Sequence, residues 1–176
     1  FDSMNTAAGE VFPTNNIPVI YPYNGRYVMS IAKWGFPNFK GSGVIINARA
    51  ETLSEKPMFK NSFATKRCLV PARGYYEWHR DERQKTKYLI RVKEKPIIYM
   101  AGLYNMFKDK AGLSYAAATI ITTAASPDIA FIHDRMPAIL KEDSLDLWLS
   151  KDAADLPALQ KILIPYEEGQ IEFEVA

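Results

Sequence analysis

Short apolar runs set off by Gly, Pro and Asn turns dominate the chain, and only a few stretches carry helical periodicity. Residues 18–21 and 26–33 read as two strands joined at Asn24-Gly25, a pair that tolerates positive φ and favours a tight hairpin. Residues 44–46 read as a short buried strand, followed by a helix from Ala48 towards Glu55 that Lys56-Pro57 ends and by a short turn over residues 58–63. Residues 67–72 form an apolar strand that runs through a Pro-to-Gly turn into an aromatic strand, Tyr75-Tyr76-Glu77-Trp78-His79. Residues 81–87 read as a charged hairpin tip. Residues 88–91, 97–104 and 115–123 supply three further strands. Ser126-Pro127 opens a short helix, with serine as cap and proline at the first helical position. After a proline-led strand over 137–140, residues 142–149 and 156–164 read as amphipathic helices and 171–175 as a last strand. Residues 1–9 read as the end of a helix stopped by Gly9.

With 176 residues, 48% of them hydrophobic, the chain suits one packed domain over 1–176 and is short for two. No apolar run approaches the ~20 residues that span a bilayer, so the expectation is a soluble cytoplasmic protein, monomeric and without a membrane partner. A net charge of +2 neither requires nor excludes a polyanionic partner. The single cysteine, Cys68, excludes an intrachain disulfide and a cysteine-rich zinc site, and its apolar run marks it as core. Two histidines without ligand-like spacing argue against a metal centre, and no cofactor is expected. Phe1-Asp2-Ser3-Met4 is an unusual beginning for an intact reading frame, so residues are expected to be missing upstream.

Candidate chemistry gathers at four places. Strand alternation puts Glu77 on one face with Tyr75 and His79, and Tyr76 and Trp78 on the other. Glu77 is then either a carboxyl set among rings, able to move protons, or a solvated edge residue. The loop from Trp34 to Gly43 combines aromatics with Lys40: Phe36 or Phe39 could stack on a base while Lys40 holds a phosphate, or the loop could close on its own rings. Asn47, where polar residues follow an apolar strand, is a binding group or a helix cap. His133 stands in the charged triplet His133-Asp134-Arg135, as a catalyst or as a structural histidine.

Together, Trp34-Gly35, Asn47-Ala48-Arg49-Ala50-Glu51-Thr52, Arg67-Cys68-Leu69-Val70-Pro71-Ala72-Arg73-Gly74-Tyr75-Tyr76-Glu77-Trp78 and Ile132-His133-Asp134-Arg135-Met136-Pro137 closely resemble the SRAP family, the SOS response-associated peptidases. Four blocks in order over most of the chain make the match specific. The resemblance implies an α+β fold around a curved, largely antiparallel, barrel-like sheet with peripheral helices. It implies a protein that binds single-stranded DNA at abasic sites and crosslinks to the sugar aldehyde as a thiazolidine through an amino-terminal cysteine. A peptidase activity directed at the protein's own start is also implied.

Carried over by residue, the resemblance makes Asn47 the group that orients nucleophile and sugar, Glu77 the acid and base, and His133 the assistant to ring opening and Schiff-base chemistry. The resemblance would also have Arg49 hold a phosphate and Pro13 and Phe39 wedge against the strand, while the Trp34 loop with Phe39 and Lys40, on its own composition, would line the DNA path. The chain departs from the family at its start, which carries no cysteine. Cys68 cannot replace it, because a mid-chain cysteine has no free α-amine. The alternative is a single-stranded nucleic-acid-binding module without chemistry.

Overall fold

Asn24 and Gly25 adopt φ of 49° and 73°, the two left-handed positions of a tight hairpin turn, and pair β1 (Asn16–Tyr23) with β2 (Arg26–Trp34) along their whole length. This computed structural model describes residues 9–80, 84–150 and 155–176. The expected helix end at residues 1–8 and the tip of the charged hairpin at 81–83 lie outside the described residues.

Gly35 (φ 116°) turns the chain into β3 (Phe36–Pro37), which pairs with β4 (Val44–Ile45) before β5 (Asn47–Arg49). Here two expectations fail. Residues 44–46 are only half-buried, and the segment after Asn47 is not a helix from Ala48: it is strand β5 followed by one 3-10 turn at Ala50–Thr52. The helix lies later, because Pro57 opens α1 (Pro57–Thr65) instead of ending one; proline suits the first helical turn, where its missing N–H costs nothing. The expected turn at 58–63 is the body of that helix.

β6 (Arg67–Ala72) leads into β7 (Tyr75–Arg80), β8 (Lys85–Val92), β9 (Ile98–Lys108) and β10 (Ser114–Ala124). Gly74 makes the crossing from β6 to β7 possible, since a Cβ there would lie 2.5 Å from the Ile90 carbonyl oxygen. After a 3-10 turn at Pro127–Ile129, shorter than the expected helix, come β11 (Arg135–Pro137) and β12 (Ile139–Leu140). α2 (Leu145–Leu149) and α3 (Leu156–Lys161) are brief, and α3 stops short of the expected residue 164. β13 (Ile171–Val175) has its expected bounds.

Strand pairings β10-β2-β1-β6-β9 return to β10 and close a five-stranded barrel, antiparallel except for β2 against β10. One sheet face, with Leu69, Ala101, Leu103 and Ile121, is covered by Phe59 and Phe63 of α1, Trp148 of α2 and Leu159 of α3. Helices cannot fit inside five strands, so the other face, with Val19, Ala32, Cys68, Val70, Met100 and Ala118, fills the barrel. That inner core continues through Ile90, Val92 and Ile171 into the separate sheet β13-β8-β7. The protein is α+β, with a curved, mostly antiparallel sheet and peripheral helices.

Candidate functional site

β10 is the rail on which two of the motif blocks are mounted. β5 lies parallel to it, with Asn47 beside Ile120 and Arg49 beside Thr122, and β11 runs antiparallel to it, with Pro137 opposite Thr122 and Arg135 opposite Ala124. Ala48 is fully buried against the outer core, so alternation turns Asn47 and Arg49 away from it, and both are exposed. Asn47 caps no helix.

The guanidinium of Arg135 ties the two blocks together. It donates to both carboxylate oxygens of Glu51, at 2.6 and 2.9 Å, and to the Thr122 carbonyl at 2.7 Å. Those bonds hold the Glu51 carboxyl below the usual range. The Arg135 backbone N–H donates to Nδ1 of His133 at 2.9 Å. Nδ1 is therefore an acceptor, and the neutral ring carries its proton on Nε2. Nδ1 also lies 3.2 Å from an oxygen of Asp134. Two acceptors do not bond, so that approach adds no hydrogen bond to the one from Arg135.

Glu77 comes from the other sheet. It stands opposite Tyr88 in the β7–β8 ladder, half-buried, on the face shared with Tyr75 and His79 as alternation predicts, and its Oε1 accepts the Trp78 N–H at 3.0 Å. Tyr75, His79 and the opposite Tyr88 share its face, and β7 is an edge strand of its sheet; the Tyr75 hydroxyl is held protonated by burial first and the Glu77 charge second. Phe131 joins this sheet to the histidine segment: its ring meets Tyr88 edge-on at 6.0 Å and His79 at 6.2 Å, two residues before His133. Among the described residues no hydrogen bond links Asn47, Glu77 and His133 directly; β10, Arg135 and Phe131 connect the segments that carry them. Arg135, Glu51 and Phe131 received no role from sequence reasoning. Only the charged triplet hinted at Arg135.

The expected nucleic-acid residues divide. Phe39 is 76% exposed at the loop tip, and exposed Lys40 sits in a turn where its N–H donates to the Asn38 side chain at 3.1 Å. Phe36, by contrast, has no exposure and packs on Phe59 and Phe107, so it cannot stack on a base. Trp34 is half-buried, and its indole N–H donates to the Ile46 carbonyl at 3.3 Å, which fixes the residue before Asn47. Pro13 is exposed in a turn anchored to the same tryptophan, with the Thr14 N–H on the Trp34 carbonyl at 2.8 Å.

Cys68 is fully buried, and burial pushes its thiol far above the ordinary range. Among the described residues no three His, Cys, Asp or Glu side chains are grouped to hold a metal, and no helix is long and apolar enough to cross a membrane. A cavity of about 370 Å³ near Tyr99 and Tyr166 lies between the ion pairs Lys95–Glu142 and Lys141–Glu167 and includes none of the candidate residues. Asn47 and Arg49 stand on open surface, an arrangement that suits a polymer better than a small enclosed ligand.

Comparison with known proteins agrees with this architecture. The chain is 37% identical over 168 residues to the abasic site processing protein YoqW of Bacillus subtilis, covering 92% of this chain and 75% of that one. It is 33% identical over 141 residues to the abasic site processing protein HMCES of Xenopus tropicalis, covering 69% of this chain and 42% of that one. A crystal structure of a protein from Bacteroides thetaiotaomicron superposes with a TM-score of 0.82 at 30% identity, over 92% of this chain and 74% of that one. The profile of the SOS response associated peptidases matches residues 3–175, nearly the whole chain and all four motif blocks. The chain belongs to the SOS response associated peptidase (SRAP) family.

Proposed function

We propose that this protein processes abasic sites, binding them in single-stranded DNA and joining covalently to the sugar aldehyde. The observation that carries the reading is the mounting of Asn47 and His133 on either side of β10, locked by Arg135 on Glu51, with Phe131 packed on the residue opposite Glu77. Residues scattered through the sequence are thereby built into adjoining segments, as chemistry on one sugar requires. The relatives named abasic site processing proteins support the same substrate.

The steps follow from the groups present. As the closed sugar opens, the bond from the anomeric carbon to the ring oxygen breaks and the anomeric hydroxyl becomes the carbonyl; its proton passes through solvent to the ring oxygen, to which the Nε2–H that the Arg135 bond leaves on His133 can donate a hydrogen bond as it departs. An α-amine then adds to the aldehyde carbon, and loss of water gives an imine; Glu77 takes a proton from the amine and returns one to the leaving hydroxyl. A thiolate on the same amino-terminal residue attacks the imine carbon, the nitrogen takes up a proton, and a thiazolidine closes. The nucleophile in this scheme is an amino-terminal cysteine, a role Cys68 cannot fill. The Asn47 amide orients sugar and nucleophile, and Arg49 holds the neighbouring phosphate. The same amino terminus is the site of the proposed self-directed peptidase step.

The test is a denaturing gel on a strand with one abasic site, comparing the 176-residue chain with a form that begins with cysteine. The cysteine-led form should give a stable adduct and the present chain should not. Equal adducts, or none from either, would overturn the mechanism; binding without any adduct is the behaviour of a non-catalytic module.

A further inference from the structure

A chain of rings runs from the tip of the Trp34 loop onto the outside of the barrel. Phe39 lies 6.2 Å from Phe107, Phe107 lies 6.1 Å from Tyr115 across the β9–β10 ladder, and the ammonium of Lys33 on β2 stands 5.7 Å above the Tyr115 ring. Lys33 and Lys40 at the two ends are exposed, and neither takes part in an ion pair among the described residues. The acidic side chain in the adjoining β9–β10 turn, Asp109, is engaged with its own backbone, accepting the N–H groups of Ala111 and Leu113 at 2.9 Å each. The strip therefore combines ring faces with cations that lack a protein counter-charge.

We infer that this strip, with Tyr115 and Lys33 as its far end, is a second stretch of the DNA path, taking unpaired bases and phosphates of the strand that leads away from the lesion. The inference rests on the proposed function in assigning DNA as the partner. Rings at intervals along a cationic track bind single strands with little regard to sequence, since every base offers a π-face and every nucleotide a phosphate. Phe107, half-buried between the other two, keeps Phe39 and Tyr115 aligned. Lys33 can leave the ring for a phosphate because it has no carboxylate to give up.

Fluorescence anisotropy with an undamaged labelled oligonucleotide tests this without needing the covalent step. Each phosphate contact contributes about 0.7 to the slope of log affinity against log salt for a single strand. Lys33→Gln should therefore flatten the slope by about that amount, and Lys33→Arg should restore it. Tyr115→Leu should weaken binding about fivefold or more, the loss of one stacked base, while Tyr115→Phe keeps the affinity and so excludes misfolding as the cause. Unchanged slope and affinity in Lys33→Gln and Tyr115→Leu would overturn the strip, as would equal binding of a blunt duplex, whose bases are not free to stack. The two readings fail separately. Abasic adducts formed while both variants bind normally would sink the strip alone, whereas weakened variants in a protein that never forms adducts would sink the crosslinking mechanism and support the strip.

Discussion

Arg135 spans the end of β10 to hold Glu51, with Nη1 on Oε1 at 2.6 Å, Nη2 on Oε2 at 2.9 Å, and a third bond to the Thr122 carbonyl. A pair with a half-exposed carboxylate contributes at most about 1 kcal/mol to stability. Its consequence is positional: the turn after Arg49 and the strand after His133 cannot shift independently while the fork is closed.

That pair carries a pH signature. The Arg135 bonds depress the Glu51 carboxyl in the folded state, so the stability it confers is complete above the unfolded carboxyl value of about 4.3 and is lost as pH falls through the lowered folded value. Glu51→Gln should lose this component, and its melting temperature should decline less steeply below about pH 4 than that of the unaltered chain. Parallel melting curves across the acid range would show that the pair contributes nothing to folding.

Arg67 predicts a larger effect. Buried without a carboxylate, its guanidinium donates to the carbonyls of Phe63 and Ala64 in the last turn of α1, of Trp148 in the last turn of α2, and of Ser150 beyond it. One side chain thereby satisfies acceptors that two helix ends would otherwise leave unpaired. Arg67→Leu strands those carbonyls and should cost roughly 3 kcal/mol or more, or roughly 6–12 °C in Tm for a chain of this size. A loss within a degree or two in a thermal melt would mean that water reaches the carbonyls.

Local chemistry made some of this fold legible in advance. Asn24-Gly25 specified its hairpin, and alternation placed Glu77 with Tyr75 and His79, because both rules act between near neighbours. What failed depended on distant partners. Asn47 to Arg49 looked like the entry to a helix, but pairing with β10 more than seventy residues away makes it a strand. Phe36 resembled a binding ring until α1 and β9 closed over it. Barrel closure, the Arg135–Glu51 fork and the Phe131–Tyr88 contact likewise depend on which strands meet, and no local pattern encodes that. The four motif blocks located Asn47, Arg49, Glu77 and His133 as candidates, while the residues that join their segments emerged only from the structure.

Cys68 offers a simple exclusion. Full burial beneath β9 and β10, with a thiol pushed strongly upward by desolvation, leaves almost no reactive thiolate at neutral pH. A thiol-specific chromogenic reagent should leave the folded chain unlabelled and react with one equivalent after denaturation. Rapid labelling of the native chain would reopen Cys68 as a nucleophile. In the cysteine-led form, Cys68→Ala should leave adduct formation unchanged.

The most direct test of the proposed chemistry is Glu77→Gln in the cysteine-led form. Glutamine keeps the side chain's shape and an oxygen able to accept the Trp78 N–H, so the β7–β8 ladder and its Tyr88 neighbour have no reason to move. What disappears is the group that exchanges protons as amine, hydroxyl and imine interconvert. Assistance of that kind accelerates a step by about 10²- to 10⁴-fold, and the adduct on an abasic strand should form more slowly by a factor in that range, with binding of an undamaged strand unaltered. Timed samples on a denaturing gel give the rate, and anisotropy gives the binding. If the rate falls only in proportion to binding, Glu77 acts by holding DNA. If neither changes, the carboxylate is a ladder residue and proton transfer must be assigned elsewhere, with His133 the next group to replace.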